Sequence, residues 1–325
     1  MKKVGIIYGG KSAEHEISLL SAQNVFDAID KSKFAPVLVK IDKSGRWDMS
    51  EIFKYYVIFP ILHGPFGEDG TMQGYLKLAD IPFVGPGVLG SAVGMDKDVM
   101  KRLFRDAGIP IGKYLSLKSN EKIPSFAQIE KELGSPVFIK PANMGSSVGI
   151  NKANNEAEYH AALKDAFRYD TKIVIEEFIA GREIECAVLG NEEPEASLPG
   201  EIIPSHDFYS YDAKYIDDKG ASLQIPAKLD NETTKRIQEM AVKVFTTLCC
   251  EGLSRVDFFL KTGGSSASQP DIIVNEINTM PGFTKVSMYP KMWEASGVSY
   301  TDLITRLIEL AVNRFERDRQ LRTSK

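Results

Sequence analysis

The N-terminal segment constrains the fold most strongly. Residues 4–8 form a short apolar run typical of a buried strand, and Gly9 and Gly10 follow it as a turn. A helical pattern comes next, with apolar side chains spaced to line one face: Ile17, Leu20, Ala22, Val25 and Ile29. A second apolar run occupies residues 57–62. Because strand, glycine turn, helix and strand is the order of a parallel α/β unit, we predict a mixed α/β fold that begins with a parallel sheet.

Breaker residues and changes of pattern divide the remaining chain. Prolines and glycines between residues 82 and 90 mark the first boundary. We predict a substrate-binding α/β domain at 1–94, a central domain at 95–185 and a C-terminal domain at 186–325. The polar and aromatic segment 204–222 has no clear period, and a loop of that length in a compact enzyme is usually a lid or a binding loop.

Composition excludes several classes of protein. The chain of 325 residues has a formal charge of −4, whereas binding to nucleic acid or anionic membrane requires a basic surface. No apolar run approaches the length needed to cross a bilayer, and the N-terminus shows no export signal. Three cysteines without metal spacing argue against a disulfide framework or a zinc site. We therefore expect a cytoplasmic protein.

One apparent motif is misleading. Residues 5–12 fit the pattern G-x-x-x-x-G-K-[ST] of a P-loop. A P-loop needs a strand before the motif and a flexible phosphate cradle within it. Here the strand itself takes up Gly5 to Tyr8, so we predict that this segment is not a P-loop.

Two strand-like runs near the C-terminus carry candidate metal ligands. Arg255 and Asp257 alternate in the first run, and Glu276 and Asn278 alternate in the second. Because side chains in a strand alternate between faces, pairing of these strands would bring Asp257, Glu276 and Asn278 together. Oxygen-only ligands suit Mg²⁺ or Mn²⁺. The alternative is an ordinary solvent-facing strand surface.

Two lysines are candidates for phosphate binding. An apolar run at 137–139 delivers Lys140 to a loop rich in glycine and serine, whose backbone N–H groups could surround phosphate oxygens. Lys97 falls in the first turn of a helix that Asp96 can cap, where the helix dipole disfavours a cation unless an anion lies nearby. A hairpin turn and solvated lysines are the alternatives.

Other candidates are weaker when taken alone. The apolar run from Ile173 ends at Glu176 and Glu177, and Glu183 follows, so this stretch could hold a purine edge and ribose hydroxyls. Glu14 and His63 would lie at the carboxyl ends of parallel strands, where ligands bind in open α/β sheets. A lone histidine is more often a packed or surface residue than a catalyst.

Taken in order, these features resemble the D-alanine–D-alanine ligase family of ATP-grasp enzymes. The matching segments extend from about residue 4 to about residue 310, and they are 9–18, 62–71, 95–97, 140–149, 176–183, 211–215, 255–257 and 275–284. The resemblance implies a three-domain ATP-grasp fold with a parallel-sheet N-terminal domain. The segment 49–56 is shorter than the linkers associated with this pattern, but no candidate site residue lies there.

The resemblance also implies roles for individual residues. The residues implied to bind ATP are Lys97, Lys140, Ser147, Glu176, Glu177, Phe178, Ile179, Glu183 and Lys214. Two Mg²⁺ or Mn²⁺ ions would be held by Asp257, Glu276 and Asn278. The residues implied to bind or activate the two D-alanine molecules are Glu14, His63, Ser146, Tyr215, Arg255, Gly282, Ser287 and Met288.

The implied reaction is the ATP-dependent ligation of two D-alanine molecules for peptidoglycan precursor synthesis. It would proceed through an acyl phosphate and a tetrahedral intermediate, with ADP and phosphate released, in a cytoplasmic homodimer. Relatives in the family use D-lactate or D-serine as the second substrate. Another ATP-grasp ligase joining a carboxylate to an amine, or a nucleotide-binding regulator without catalysis, is the remaining alternative.

Overall fold

The structure is a computed structural model that describes residues 1–48, 50–204, 221–266 and 269–322. Side-chain positions are described for these residues except 221, 262–266 and 269. The predicted site residues Lys214 and Tyr215 therefore lie outside the described residues. Within the described ranges the fold is mixed α/β, as predicted, and no helix there is long and apolar enough to cross a bilayer.

The N-terminal sheet is parallel and has the order β2-β1-β3. Its strands are β1 (Lys2–Gly9), β2 (Phe34–Ile41) and β3 (Val57–Ile61). The helices associated with it are α1 (His15–Ala28) and α2 (Thr71–Leu78), with a 3₁₀ turn at Ile52–Lys54. The predicted parallel unit is confirmed. Because β1 extends from Lys2 to Gly9, the strand does take up Gly5 to Tyr8, which is incompatible with a P-loop there.

Two helices connect this sheet to the central region. They are α3 (Val88–Met95) and α4 (Lys97–Asp106). The Asp96 side chain accepts hydrogen bonds from the backbone N–H groups of Asp98 and Val99, which confirms the predicted N-terminal cap. This cap fixes the point at which Lys97 enters the helix.

The second sheet is antiparallel, with the order β4-β7-β5-β6. Its strands are β4 (Tyr114–Lys118), β5 (Val137–Pro141), β6 (Asn151–Ala153) and β7 (Lys172–Glu177). It packs against α5 (Phe126–Leu133) and α6 (Glu156–Ala166). The predicted capping box of Ser125 and Gln128 is present at the start of α5.

The third sheet is antiparallel, with the order β11-β10-β8-β12-β13 and β9 paired to β8. Its strands are β8 (Arg182–Gly190), β9 (Glu195–Ala196), β10 (Gly200–Pro204), β11 (Ala221–Gln224), β12 (Gly252–Ser266) and β13 (Gln269–Asn278). The remaining helices are α7 (Asn231–Thr247), α8 (Met288–Ala295) and α9 (Tyr300–Arg319). Apolar side chains of α7 pack on one face of this sheet, which leaves charged side chains of β8, β12 and β13 to face the cleft.

The first sheet and the C-terminal helices share one hydrophobic core. Phe59 of β3 packs against Phe283, and Leu303 and Leu307 of α9 are buried in the same cluster. This contact brings the carboxyl ends of β1 and β3 next to the segment that follows β13. The predicted domain boundaries at 94 and 185 stay predictions.

Candidate active site

A cavity of about 720 Å³ lies where the first and third sheets meet the loop after β5. Ten predicted site residues line it: Glu14, His63, Lys97, Ser146, Arg255, Glu276, Asn278, Gly282, Ser287 and Met288. These residues come from all parts of the sequence, so the fold gathers side chains that are far apart along the chain. Four charged residues that were not predicted also line the cavity: Glu68, Glu185, Lys285 and Lys291.

Glu14 and Ser146 are hydrogen-bonded to each other at one corner of the cavity. Glu14 is the residue before α1 and is 7% exposed, and its carboxylate accepts a hydrogen bond from the Ser146 hydroxyl. Ser146 and Ser147 have φ angles of 50° and 60°, a backbone conformation that non-glycine residues rarely adopt. A Cβ atom at Gly145 would lie 3.3 Å from the Glu14 carboxylate, so the loop closely approaches this corner. Such strain is typical of functional loops.

His63 follows β3 and is almost completely buried. Its Nδ1 atom lies 3.2 Å from the carbonyl oxygen of Met280 and 3.5 Å from a Glu68 carboxylate oxygen. Burial opposes protonation, but the Glu68 and Glu14 carboxylates outweigh it and raise the pKa of His63 above its usual value. Its Nε2 atom is buried and has no hydrogen-bond partner among the described residues.

Arg255 lies between two carboxylates on the cleft face of the third sheet. Its Nε atom is 3.0 Å from Glu185 and 2.7 Å from Asp257, and its Nη2 atom donates a second hydrogen bond to Asp257 at 2.8 Å. Burial lowers the pKa of Arg255, but the carboxylates, Asp257 first, outweigh it and hold that pKa well above the usual value. The site therefore contains a fixed positive charge.

The predicted pairing of the two C-terminal strands is confirmed. β12 and β13 are antiparallel, with Asp257 opposite Glu276 and Arg255 opposite Asn278. Two carboxylates and one amide oxygen on adjacent strands are the donor types that Mg²⁺ and Mn²⁺ prefer, so these residues fit the implied ions. In the part of the chain that the structure describes, no group of three or more His, Cys, Asp or Glu side chains has the arrangement of a metal site. The metal site thus stays a prediction.

A buried cluster of lysines lies beside the cavity. Lys140, at the end of β5, has its Nζ atom 2.7 Å from Glu176, and Lys101 of α4 lies 3.1 Å from the other oxygen of the same carboxylate. Burial raises the pKa of Glu176, but Lys101 and Lys140 outweigh it and lower the pKa to about 2. Lys97 donates a hydrogen bond to the Met144 carbonyl oxygen at 2.6 Å and lies 3.7 Å from Glu276. Burial opposes the charged form of Lys140, but Glu176 and Glu276 raise its pKa.

The stretch implied to bind adenine and ribose begins in this cluster. The Glu176 carboxylate is already engaged by two lysines, whereas Glu177 accepts a hydrogen bond from the Lys113 backbone N–H at 2.7 Å. Phe178 is exposed and stacks loosely against Phe138. Of the remaining predicted members, Ile179 lies between β7 and β8 and Glu183 lies at the start of β8. The Glu183 carboxylate contributes to raising the pKa of Lys140. Nucleotide binding by these residues stays a prediction.

The segment after β13 forms part of the cavity wall. Ser287 precedes α8, and its hydroxyl accepts a hydrogen bond from the Thr284 backbone N–H at 3.1 Å. A Cβ atom at Gly282 would lie 3.1 Å from this hydroxyl, so glycine keeps the loop compact. Met288 is buried in the first turn of the helix. The wall therefore presents backbone N–H groups at a helix N-terminus, an arrangement that favours a carboxylate.

Profiles of known protein families match both parts of the chain. The profile described as the D-ala D-ala ligase C-terminus matches residues 103–309, and the profile for the N-terminus matches residues 3–56 and 48–86. The two N-terminal matches overlap at 48–56, which includes the segment 49–56 expected to be short.

Relatives match along the full length of the chain. A D-alanine–D-alanine ligase from Oceanobacillus iheyensis is 51% identical and covers 100% of this chain and 99% of its own length. D-alanine–D-alanine ligase A from Escherichia coli is 48% identical, with 99% of each chain covered.

Solved structures are similar as well. The D-alanine–D-alanine ligase from Coxiella burnetii has a TM-score of 0.85 at 36% identity, with 98% of each chain covered. The VanG D-Ala:D-Ser ligase from Enterococcus faecalis has a TM-score of 0.84 at 38% identity, covering 95% of this chain and 99% of that one. A D-alanine–D-alanine ligase from Bacillus anthracis complexed with ATP has a TM-score of 0.82 at 27% identity, covering 98% and 100%. With its charged cleft and these matches, the chain belongs to the D-alanine–D-alanine ligase family.

Proposed function

We propose that this protein uses ATP to join two D-alanine molecules into D-alanyl-D-alanine, releasing ADP and phosphate. The reaction would supply a peptidoglycan precursor. The observation that carries the proposal is the meeting of Glu14, Ser146 and Arg255 in one cavity, next to the lysine cluster of Lys97 and Lys140. One end of the site can hold an amino acid, and the other can hold the phosphates of a nucleotide.

In the first step the carboxylate of the first D-alanine attacks the γ-phosphate of ATP, forming an acyl phosphate and ADP. Both reactants are anions, so their approach requires positive charge. Lys97 and Lys140 supply fixed charge from α4 and β5. Asp257, Glu276 and Asn278 would hold Mg²⁺ or Mn²⁺ ions, which when bound neutralise negative charge on phosphate oxygens.

In the second step the amine of the second D-alanine attacks the acyl phosphate carbonyl carbon. The resulting tetrahedral intermediate bears an oxyanion and collapses with release of phosphate. Arg255 and the backbone N–H of Gly282 face the cavity and are the donors proposed to stabilise that oxyanion. Ser287 precedes α8 and Met288 begins it, where the helix N-terminus favours the carboxylate of the second substrate.

Glu14 is the proposed partner of the first D-alanine's ammonium group. Replacing Glu14 by glutamine should raise the KM for D-alanine by roughly ten- to hundredfold, since a hydrogen bond to a charged group is worth about 1.5–3 kcal/mol. The KM for ATP should change by less than about threefold, because Glu14 is proposed to contact the D-alanine ammonium group, whereas the phosphates are proposed to contact Lys97 and Lys140. Steady-state kinetics with each substrate varied in turn measures both constants.

Glu16→Gln is the matched control for this variant. Glu16 lies two residues further along, on α1, and its side chain is 68% exposed and paired with Lys43. We expect wild-type kinetics from this control. A Glu14→Gln enzyme that keeps its affinity for D-alanine would contradict the proposed role.

Phosphate release tests the activity itself. Purified protein with MgCl₂, ATP and D-alanine should release phosphate and form the dipeptide, detected by malachite green and by mass spectrometry. L-alanine should give neither product. Activity with D-alanine absent, or phosphate release without dipeptide, would count against the proposal.

A second candidate is ligation of D-alanine to D-serine, because the VanG D-Ala:D-Ser ligase has a TM-score of 0.84 to this chain. Assays with D-alanine plus D-serine or D-lactate should give less mixed product than D-alanyl-D-alanine. A dominant mixed product would favour the second candidate. The homodimeric state and the cytoplasmic location implied by the family resemblance are also proposals, and light scattering on the purified protein tests the first.

A further inference from the structure

Helix α4 carries two buried lysines one turn apart. Lys97 and Lys101 are 7% and 3% exposed, which is unusual for lysine and requires compensating partners. Lys97 lies 3.7 Å from Glu276 on β13, whereas Lys101 lies 3.1 Å from Glu176 on β7. Lys101 also lies 3.4 Å from the carbonyl oxygen of Asn275, the residue before Glu276. The proposed chemistry assigns a role to Lys97 and leaves Lys101 without one.

The lysine cluster holds more positive than negative charge around Glu176. This single carboxylate has Lys140 at 2.7 Å on one oxygen and Lys101 at 3.1 Å on the other. All three residues are at least nine-tenths buried. Interactions between charges are stronger in such surroundings than at the surface, so the arrangement of each pair matters. Counted over Glu176, Lys101 and Lys140 alone, two cations on one anion leave one net positive charge, and the Glu276 and Glu183 carboxylates also act on Lys140.

We propose that Lys101 is a positioning residue that shares the Glu176 carboxylate and thereby leaves the charge of Lys140 available to the phosphates of a nucleotide. Without Lys101, Glu176 and Lys140 would form a one-to-one pair with no net charge. The Lys140 ammonium would then be drawn to Glu176 and would attract a triphosphate less strongly. This inference rests on the proposed use of ATP.

A merely structural role for Lys101 predicts a different result. Lys101 also touches the Tyr114 ring at 5.7 Å and the Asn275 carbonyl, so it could simply tie α4 to the two sheets. Loss of these structural contacts would disturb the whole nucleotide site and weaken the binding of every ligand there. Loss of the available charge of Lys140 would weaken the binding only of ligands that carry phosphates. Comparison of ATP with adenosine separates the two roles.

The experiment measures dissociation constants of ATP and adenosine by calorimetry for the full-length wild type and Lys101→Met. We expect ATP to bind at least about tenfold more weakly to the variant. This is the effect of removing one positive charge that acts on the phosphates from several ångströms away at an intermediate dielectric constant. Adenosine should bind within about twofold of wild type. Equal losses for both ligands, or no loss for ATP, would overturn the proposal. Arg105→Met removes an exposed positive charge from the same helix and should leave both constants unchanged.

A double variant tests the mechanism and gives a second measurement if the Lys101→Met variant does not fold. Lys101→Met with Glu176→Gln takes away both partners, so Lys140 regains its unshared charge. We expect its ratio of ATP to adenosine affinity to equal or exceed that of wild type. If the double variant has an affinity ratio as low as that of Lys101→Met, the proposal is overturned. If the single variant does not fold, a ratio for the double variant below that of wild type overturns it. Wild-type protein that fails to bind ATP would instead contradict the proposed function.

Discussion

Replacing Arg255 by methionine should reduce the rate of dipeptide formation by at least about 10²–10³-fold, the effect of losing one donor to a developing oxyanion. Arg255 and Gly282 both line the cavity, and methionine keeps a similar apolar length without charge or donors. The change should appear in kcat, because the proposed oxyanion develops only after both substrates are bound.

The same substitution should lower the free energy of unfolding. Arg255 is the shared partner of Glu185 and Asp257, whose side chains are 6% and 15% exposed. Removing one member of a buried ion pair leaves charge without compensation, at a cost of about 3–5 kcal/mol. Urea unfolding monitored by circular dichroism measures this change, and kinetics should be taken only under conditions where the variant is folded.

Arg182→Met is the matched control. Arg182 lies on β8 and donates two hydrogen bonds of 2.7 Å to Glu201, so it too forms a bidentate pair on the third sheet. Because side chains alternate along a strand, it lies on the opposite face from Glu185. The Glu201 side chain is only 9% exposed, so we expect a loss of about 1–3 kcal/mol from leaving it without this partner, and unchanged kinetics. An Arg255→Met enzyme with kinetics like this control would refute the oxyanion role.

Local signals in the sequence predicted the parts of the fold that depend on neighbouring residues. The Asp96 cap and the Ser125 capping box are set by residues two or three positions away, and both are present. The alternation of Arg255 with Asp257 predicted one face of β12, and the pairing with β13 places Glu276 opposite Asp257 as expected. The caps and the alternation along each strand are specified locally, whereas the pairing of the two strands is a property of the sheet.

Residues whose role depends on tertiary partners escaped the sequence analysis. Glu185 lies opposite Asp257, but only the antiparallel register of β8 with β12 places it there. Lys101 looks like any helical lysine, although its spacing of four from Lys97 does place both on one face of α4. Glu68 lay within a recognised segment, yet its partner His63 is five residues away and is oriented by the turn between them. Sequence alone could not distinguish these groups from solvated charges.

The ion pairs of Glu176 illustrate the same limit. The sequence placed this carboxylate at the end of a strand and, through the resemblance, near adenine and ribose. The structure places it between Lys101 and Lys140, because β7 lies next to β5 in the second sheet and α4 packs over them. Strand order is not encoded in any local period. The partners of Glu176 could therefore be identified only from the folded structure.

Replacing Glu276 by glutamine should lower the turnover rate by roughly 10²–10³-fold, a loss of several kcal/mol of charge stabilisation during phosphoryl transfer. Glu276 lies on the cavity wall between Asp257 of the adjacent strand and the Lys97 ammonium. Glutamine keeps the size of the side chain and one oxygen donor but removes the negative charge. The concentration of Mg²⁺ needed for half-maximal activity should therefore rise, which a titration of phosphate release against MgCl₂ measures.

Stability separates this effect from a disturbance of the fold. The Glu276 side chain is 32% exposed, so its neutralisation should shift the midpoint of thermal unfolding by only a few degrees. Asp271→Asn removes a carboxylate from the other end of β13, where Asp271 lies opposite Lys261, and should change neither the rate nor the Mg²⁺ requirement. If Glu276→Gln keeps wild-type turnover at every Mg²⁺ concentration, the ions are held elsewhere. Because Glu276 also adjoins Lys97, a rate loss with an unchanged Mg²⁺ requirement would assign the residue to orienting that lysine instead.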